Sequence, residues 1–209
     1  MSTTASRVVA AEAANLAYYE ANAETYAKQT YHADLSHLYA PFLALLPRNA
    51  RILDVGCGGG RDLRAFRERG YETFGIDPSP ALVEIARQYS GAEVAVAKVE
   101  ALEFEEKFDG VWACASLLHL PRTELPNALK HIHRSLISGG VFFLSVQAGH
   151  GEEFGEDGRF YTRYDESDIR IAAHASGFDI LETWETSDAL PGRTEIYWIN
   201  LLARKRFPT

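Results

Sequence analysis

Cysteine is scarce: Cys57 and Cys114 are the only two among 209 residues. Two cysteines do not make a disulfide framework, and the pattern suits a reducing compartment. Each lies in an apolar, strand-like run and reads as a small buried hydrophobe. Nowhere does the sequence approach the ~18 uninterrupted apolar residues that a membrane span needs. Met1 to Ala14 is rich in Ala and Ser but carries Glu12 and lacks a basic leader followed by a long apolar block. It does not read as a secretory signal, and the cytoplasm is the expected location. Positive charge is also short. Lys and Arg total 21 against 29 Asp and Glu, a net charge of -8, which argues against a bulk nucleic-acid binder with a basic face. His119, His131, His133 and His150 lack the spacing to Cys or Asp that a metal site requires, so no metal is expected. His131 and His133 sit on a predicted helix with polar neighbours and read as surface or packing residues.

What is present is ample apolar material, 46% of the residues, enough for one self-sufficient core. Residues 15–46 read as helix, with Leu16, Tyr19, Ala23, Tyr26 and Ala27 at helical spacing and a second stretch from Leu35 to Leu46 that Pro47 ends. The period then changes. Arg51 to Val55, Thr73 to Ile76, Val94 to Ala97, Gly110 to Cys114 and Val141 to Val146 read as short buried strands. Between them, Arg61 to Arg69, Ser79 to Tyr89 and Pro121 to Leu136 read as helices, the second N-capped by Ser79 with Pro80 in its first turn, and Gly139-Gly140 reads as a turn. This rhythm predicts a mostly parallel sheet covered on both faces, with right-handed crossovers. Gly151 to Gly158, glycine-rich and acidic, reads as a mobile loop before a helix over Asp165 to Ser176. Phe178 to Thr186 and Thr194 to Ala203 are joined too tightly for a parallel crossover, so an antiparallel hairpin ends the sheet. No repeat or low-complexity linker divides the chain, and one domain is expected over 1–209.

The sharpest local feature is Asp54-Val55-Gly56-Cys57-Gly58-Gly59-Gly60, directly after the first strand. Glycine is needed where a chain turns sharply or where a ligand comes too close for a Cβ. The carboxyl end of a strand, opening into a helix, is where open α/β sheets bind ligands. Asp77 ends the second strand, 21 residues after Gly56 (77 minus 56). A carboxylate there accepts hydrogen bonds from both ribose hydroxyls of a nucleoside. A dinucleotide fingerprint asks for Gly at the sixth position counted from Gly56, and that position is Arg61. Hydride transfer with a nicotinamide cofactor is disfavoured accordingly.

The run Ile52 to Gly60, with Gly75-Ile76-Asp77, Phe108-Asp109, Leu118-His119 and Gly139-Gly140-Val141, resembles the class I S-adenosylmethionine (SAM)-dependent methyltransferases. The similarity is to the small bacterial branch related to ubiquinone- and tellurite-type methyltransferases. It implies a three-layer Rossmann-like fold with a seven-stranded, mostly parallel sheet, a C-terminal antiparallel hairpin and an N-terminal helical lid. It divides the domain into a lid over 15–47, a SAM-binding core over 51–146 and an acceptor side over 147–209. It further implies methyl transfer from SAM to a small molecule, leaving S-adenosylhomocysteine (SAH). Asp54 is implied to organise the loop and hold the SAM amino group, directly or through water. Gly56, Cys57, Gly58 and Gly60 bring the backbone to the methionine part, and Asp77 holds the ribose. Pro78 or Ser79 lies beside the adenine, and Ala115 and Ser116 flank the methionine. Lys98 aligns with the family's acid for the adenine amino group. A lysine cannot accept that bond, which leaves Glu100 or a backbone carbonyl to do so, with the Val99 N–H meeting the ring.

Methyl transfer asks mainly for alignment and exclusion of water. His119, just past the fourth strand and with an ordinary pKa of about 6.5, is the expected base or substrate contact. The competing reading is a packed loop residue bonded to backbone. Tyr19 and Tyr26, two turns apart, share a helix face that is either core or an aromatic wall attracting the sulfonium charge. Arg159, Tyr161 and Arg163 are expected to receive an anionic or polar acceptor, with Arg193 and Trp198 as weaker candidates. The alternatives are a non-catalytic SAM- or nucleoside-binding module, and a methyltransferase for RNA or protein. No membrane or nucleic-acid partner is expected, and the chain is expected to be a monomer or homodimer.

Overall fold

Strands dense in Val, Ile, Leu and Phe, each followed by an amphipathic helix, bury themselves only by pairing side by side under helical cover. The computed structural model describes residues 3–207. Met1, Ser2, Pro208 and Thr209, part of the domain expected over 1–209, lie outside the described residues. In chain order the elements are α1 (Thr3–Thr30), α2 (Ser36–Leu43), β1 (Arg51–Val55), α3 (Arg61–Glu68), β2 (Glu72–Asp77), α4 (Pro80–Ser90), β3 (Glu93–Val96), β4 (Phe108–Cys114), α5 (Leu125–Ser135), β5 (Leu136–Gln147), β6 (Glu152–Phe154), β7 (Phe160–Thr162), α6 (Glu166–Ala175), β8 (Phe178–Ser187) and β9 (Tyr197–Lys205). The seven-stranded sheet has the order β3-β2-β1-β4-β5-β9-β8. The first five strands of that order are parallel, and β9 runs antiparallel to both β5 and β8. This is the Rossmann-like sheet with a terminal antiparallel hairpin that the resemblance implies.

Alternation along the strands divides the core. Leu53, Val111, Phe142 and Leu144 point to the α5 and α6 side, where Leu129, Ile132 and Ile169 meet them. Ile52, Trp112, Phe143 and Leu202 point the other way, onto Leu38, Tyr39 and Phe42 of α2. Trp112 and Phe143 stack at 3.9 Å between ring centres. Among the described residues no helix is long and apolar enough to cross a membrane, the 28-residue α1 included.

Four expectations are corrected. The N-terminal helix begins at Thr3, well before residue 15, and a break around residues 31–35 separates it from α2, which carries Pro41 inside it. The helix expected from Pro121 starts at Leu125, because residues 121–124 form a turn closed by Glu124 N–H on the Pro121 carbonyl. Gly139-Gly140 falls within β5, whose early residues take a shifted register against Phe108 and Gly110. Gly151 to Gly158 is no loose loop. Glu152–Phe154 pairs with Phe160–Thr162 as an antiparallel hairpin, and the Phe154 and Phe160 rings meet edge to face.

The glycine cluster carries more packing than its place at a ligand site suggests. Gly60 has φ +86°, and a Cβ there would lie 3.0 Å from the Ala86 backbone, so its bareness lets α3 and α4 meet. Gly70 has the same backbone hand, φ +88°, with nothing within 4 Å of a Cβ. Gly70→Ala is expected to cost only the left-handed strain, about 1 kcal/mol. Gly60→Ala adds the clash and is expected to lose a further ~1–3 kcal/mol in denaturant unfolding. Equal losses would show that the α3–α4 contact is not what requires glycine.

Candidate active site

Every parallel strand turns into its helix at the same edge of the sheet, and there the chain encloses two cavities. The first, of about 600 Å³, runs from α1 across the ends of β1, β2 and β3 to the start of α4. The second, of about 380 Å³, lies between α1, the ends of β4, β5 and β9, and the β6–β7 hairpin. Tyr19, Tyr26, Gly56, Gly58, Ala115 and His119 border both. They form the wall or passage between them.

In the first cavity Asp77 is 7% exposed, and its two oxygens accept from the Gly58 N–H at 2.9 Å and the Ser79 N–H at 2.9 Å. Burial pushes its carboxyl up to about 6, against the pull of those two bonds. Each oxygen keeps further acceptor capacity. Pro78, Val99, Glu100 and Ser116 line the same space, and the buried Ser116 Oγ has no hydrogen-bond partner among the described residues. Burial raises the Glu100 carboxyl. Lys98 also lines the cavity, but its amine pairs with Glu12 of α1. It acts as a tie to the covering helix rather than as an acceptor.

The glycines divide their tasks. Gly56 and Gly58, both with positive φ, border both cavities, whereas Gly60 borders neither. A Cβ on Gly56 would stand 2.4 Å from the Ser116 Cβ, and one on Gly59 2.7 Å from the Ala27 Cβ. The Cys57 side chain is buried with Leu63, Val83 and Val94, and only the residue's edge reaches the second cavity. Asp54 borders neither cavity. It is 2% exposed, its Oδ2 is buried without a partner among the described residues, and burial, then the charge of Asp62, pushes its carboxyl well above the usual range. Ala115 holds φ +55° without being glycine, a strain characteristic of positions fixed for function.

At the wall the Tyr19 hydroxyl lies 2.8 Å from His119 Nε2, and His119 Nδ1 lies 2.8 Å from the Phe160 carbonyl. A carbonyl only accepts, so Nδ1 carries the proton and Nε2 accepts from Tyr19. Arg159 donates to the Tyr19 oxygen at 3.0 Å. Burial drives the His119 pKa down to about 4, which keeps the ring neutral at physiological pH. Both ring nitrogens of His119 are thus bonded within the protein, one to backbone, as the packed-loop reading expects, and one to a phenol at the cavity wall. Asn15 of α1 bridges the same region, donating to the His119 carbonyl and accepting from the Phe160 N–H. Glu20 of α1 accepts from the Ser79 hydroxyl and the Ala81 N–H at the start of α4.

The second cavity holds the acceptor-side candidates Arg159, Tyr161, Arg163, Arg193 and Trp198. Arg159 is bound to Asp157 at 2.6 Å and Arg163 to Glu153 at 2.6 Å, and Tyr161 donates to Asp157 at 3.0 Å. Sequence reasoning assigned no binding role to two residues here. Arg61 spends Nε and Nη2 on Asp62, which also accepts from Tyr39 and Trp112, and the arginine borders the cavity beside Cys114. Gln147, at the end of β5, has a buried Oε1 without a partner among the described residues. The signal for Gln147 was present, since Ser145-Val146-Gln147 puts polar residues at alternate positions of a buried strand.

A family model described as "Methyltransferase domain" matches residues 26–183. A ubiquinone biosynthesis O-methyltransferase of Xanthomonas axonopodis pv. citri is 39% identical over 110 residues, 49% of this chain and 45% of that protein. One from Pseudomonas aeruginosa is 33% identical over 103 residues, 46% of this chain and 44% of that protein. The chain thus spans about half the length of the curated relatives it matches. The Burkholderia thailandensis 1,6-didemethyltoxoflavin-N1-methyltransferase, solved with 1,6-didemethyltoxoflavin and SAH, superposes with a TM-score of 0.76 at 21% identity, covering 97% of this chain and 89% of that one. A TehB-like SAM-dependent methyltransferase from Corynebacterium glutamicum gives 0.71 at 23% identity, covering 89% and 99%. At these identities the solved structures establish the shared fold.

The protonation state of His119 is directly measurable. In nitrogen-15 NMR of the free protein, His119 is expected to stay neutral with its proton on Nδ1 down to about pH 5. A midpoint near 6.5 would mean that the ring is solvated and the Tyr19 bond is not made.

Proposed function

The chain belongs to the methyltransferase-domain family, and on that premise we propose that it transfers a methyl group from SAM to a small-molecule acceptor. One observation carries the reading: a nucleoside-sized cavity over the glycine loop and Asp77 shares a wall with a second cavity. Donor and acceptor thereby occupy separate spaces that touch at the glycine loop, Ala115 and the Tyr19–His119 pair.

The residues present fit SAM. Asp77 offers two carboxylate oxygens to the ribose hydroxyls, already oriented by the Gly58 and Ser79 amides. Glu100 and the backbone around Val99 close the adenine end, in place of the acid that Lys98 replaces. Arg61 borders the second cavity, where it keeps donors beyond the two nitrogens spent on Asp62. Unpartnered Asp54 Oδ2 and Ser116 Oγ suit the amino group, reached from Asp54 through water. Tyr19 and Tyr26 supply aromatic surface to the cationic sulfur.

When bound, SAM would supply an electrophilic methyl carbon to an acceptor lone pair, leaving SAH and one acceptor proton to be removed. That proton passes to the Tyr19 oxygen while the Tyr19 proton moves to His119 Nε2, and then on to solvent. With a pKa of about 4, the ring is unprotonated at neutral pH and is a weak base that holds the proton only in passing. Helix α1, tied at Glu12, Asn15, Tyr19 and Glu20, covers one side of both spaces.

Two measurements by calorimetry with SAH test the donor side. Asp77→Ala is expected to weaken binding by ~1.5–3 kcal/mol, the scale of hydrogen bonds to a charged group. With wild type, affinity is expected to be constant above pH 7 and to fall by up to tenfold per unit below pH 6. A raised pKa means that Asp77 takes a proton there, and a protonated carboxyl loses acceptor capacity. An unchanged Asp77→Ala affinity would remove that residue from the site.

A further inference from the structure

We infer that Glu12, carried on the covering helix α1, accepts the amino group of the cofactor's adenine, and that this contact holds α1 shut over the bound cofactor. The inference rests on the methyl-transfer reading and assigns the one contact that Lys98 cannot make. Adenine's amino group carries N–H donors, and a donor buried without an acceptor costs free energy. Where the resembling family places an acid after β3, this chain has Lys98, whose ammonium only donates. The lysine is not alone there. Its Nζ is bonded to Glu12 Oε2, and both residues border the first cavity beside Val99 and Glu100. The pair puts a carboxylate next to the position where the resemblance expects one, drawn from 86 positions away in the chain. Lys98 engages Oε2, and Glu12 Oε1 has no hydrogen-bond partner among the described residues. An ionised carboxylate is acceptor-only, and its bonds to N–H groups are of the stronger, charge-assisted kind.

The surroundings of Glu12 suit a ring with a polar edge. Val9, Glu12 and Leu16 stand three and four residues apart, so they share one face of α1, and all three border the first cavity. The two apolar members are 66% and 40% exposed, and a flat heterocycle under that face would cover them while its amino edge meets the carboxylate between them. Glu100 is the rival acid. The charges of Glu12 and Lys98 both act on its carboxyl, which places the three groups at one end of the cavity. Glu100 belongs to the short turn Val99–Ala101, and its carboxyl bonds back to its own backbone N–H. Glu12 instead comes from the element that covers the site. A ligand shifts an opening equilibrium only by binding one form better, and a bond to the cover itself does that.

The test needs no turnover. Calorimetry on the whole protein compares SAH with its analogue carrying purine in place of adenine, which lacks only the amino group. Wild type is expected to bind SAH at least tenfold more tightly than the analogue, as a site built around a donor rejects a ligand without it. In Glu12→Met that preference is expected to fall below threefold, with affinity for the analogue within threefold of wild type. A second measurement requires no variant to fold. Amide hydrogen exchange of wild type saturated with each compound is expected to be at least fivefold slower around Glu12 with SAH than with the analogue. No preference in wild type, a preference that survives Glu12→Met, a preference lost only in Glu100→Met, or equal exchange with the two compounds would each overturn the inference. Failure of wild type to bind either compound would instead bring down the methyl-transfer reading beneath it.

Discussion

The carboxylate of Asp77, gripping one backbone amide on each side, is the bond on which the site depends. Its Oδ2 holds the Gly58 N–H and its Oδ1 the Ser79 N–H, so one side chain fixes the glycine loop after β1 and the turn into α4 together. The Gly56 and Cys57 amides hold the Ile76 carbonyl and the Gly60 amide the Cys57 carbonyl, and Asp77 adds the only side-chain bond to the Gly58 amide among the described residues. With it, the loop amides and the carboxylate are preset for a ligand, so the ordering cost is met on folding and not on binding. The ledger has a debit: burial raises the acid to about 6, so the protein holds a partly desolvated charge at neutral pH. Such a group lowers the stability of the free protein as pH rises through 6, because the unfolded chain, with an ordinary carboxylate, ionises at less cost.

From that fixed loop outward, the covering helix follows as a necessity. The first cavity opens between strand ends, and only α1 shields it. The helix is held by a face of small buried residues, Ala11, Ala23 and Ala27, and by polar ties: Glu12 to Lys98, Asn15 to His119 and Phe160, Tyr19 to His119, Glu20 to Ser79 and Ala81. Val9 and Leu16, at the cavity rim, are 66% and 40% exposed. Polar ties of this kind each contribute little net free energy, because water competes for the same groups. A cover held this way opens at low cost, as a donor that must enter and a product that must leave both require.

The parallel sheet, and the place of the glycine loop and Asp77 at its strand ends, were legible because local chemistry decides them. Arg51 to Val55 was bounded correctly, since a buried parallel strand is a short apolar run and glycine can only follow it. Ser79 was legible as an N-cap because Ser followed by Pro at the first helical turn has one reading, and its oxygen indeed accepts from the Leu82 N–H. What failed depends on distant partners. Gly151 to Gly158 looked loose because its glycines and acids describe a chain with nothing to pair with, yet Phe160–Thr162 supplies the partner strand. Lys98 was judged by what it replaces, but its meaning lies in Glu12, 86 positions away. Arg61 was read only against a dinucleotide fingerprint, and its burial beside Asp62 emerges only when Tyr39 and Trp112 close over that carboxylate.

Three of the six buried polar atoms left without partners among the described residues lie near the carboxyl ends of parallel strands. Asp54 Oδ2 and Ser116 Oγ lie at the ends of β1 and β4, and Gln147 Oε1 at the end of β5. The strained Ala115 sits between them in sequence and space. Each such atom costs about 1–3 kcal/mol when buried alone, and an apolar side chain of similar size would remove the cost. Directly beneath them, Trp112, Phe143 and Phe42 pack with no exposure at all, so the deficit is not a failure of the core to fill space. Of these residues, Ser116 borders the first cavity and Gln147 the second. Occupancy of the cavities is coupled to stability: a ligand bound only by the folded chain stabilises it by RT ln(1 + [L]/Kd).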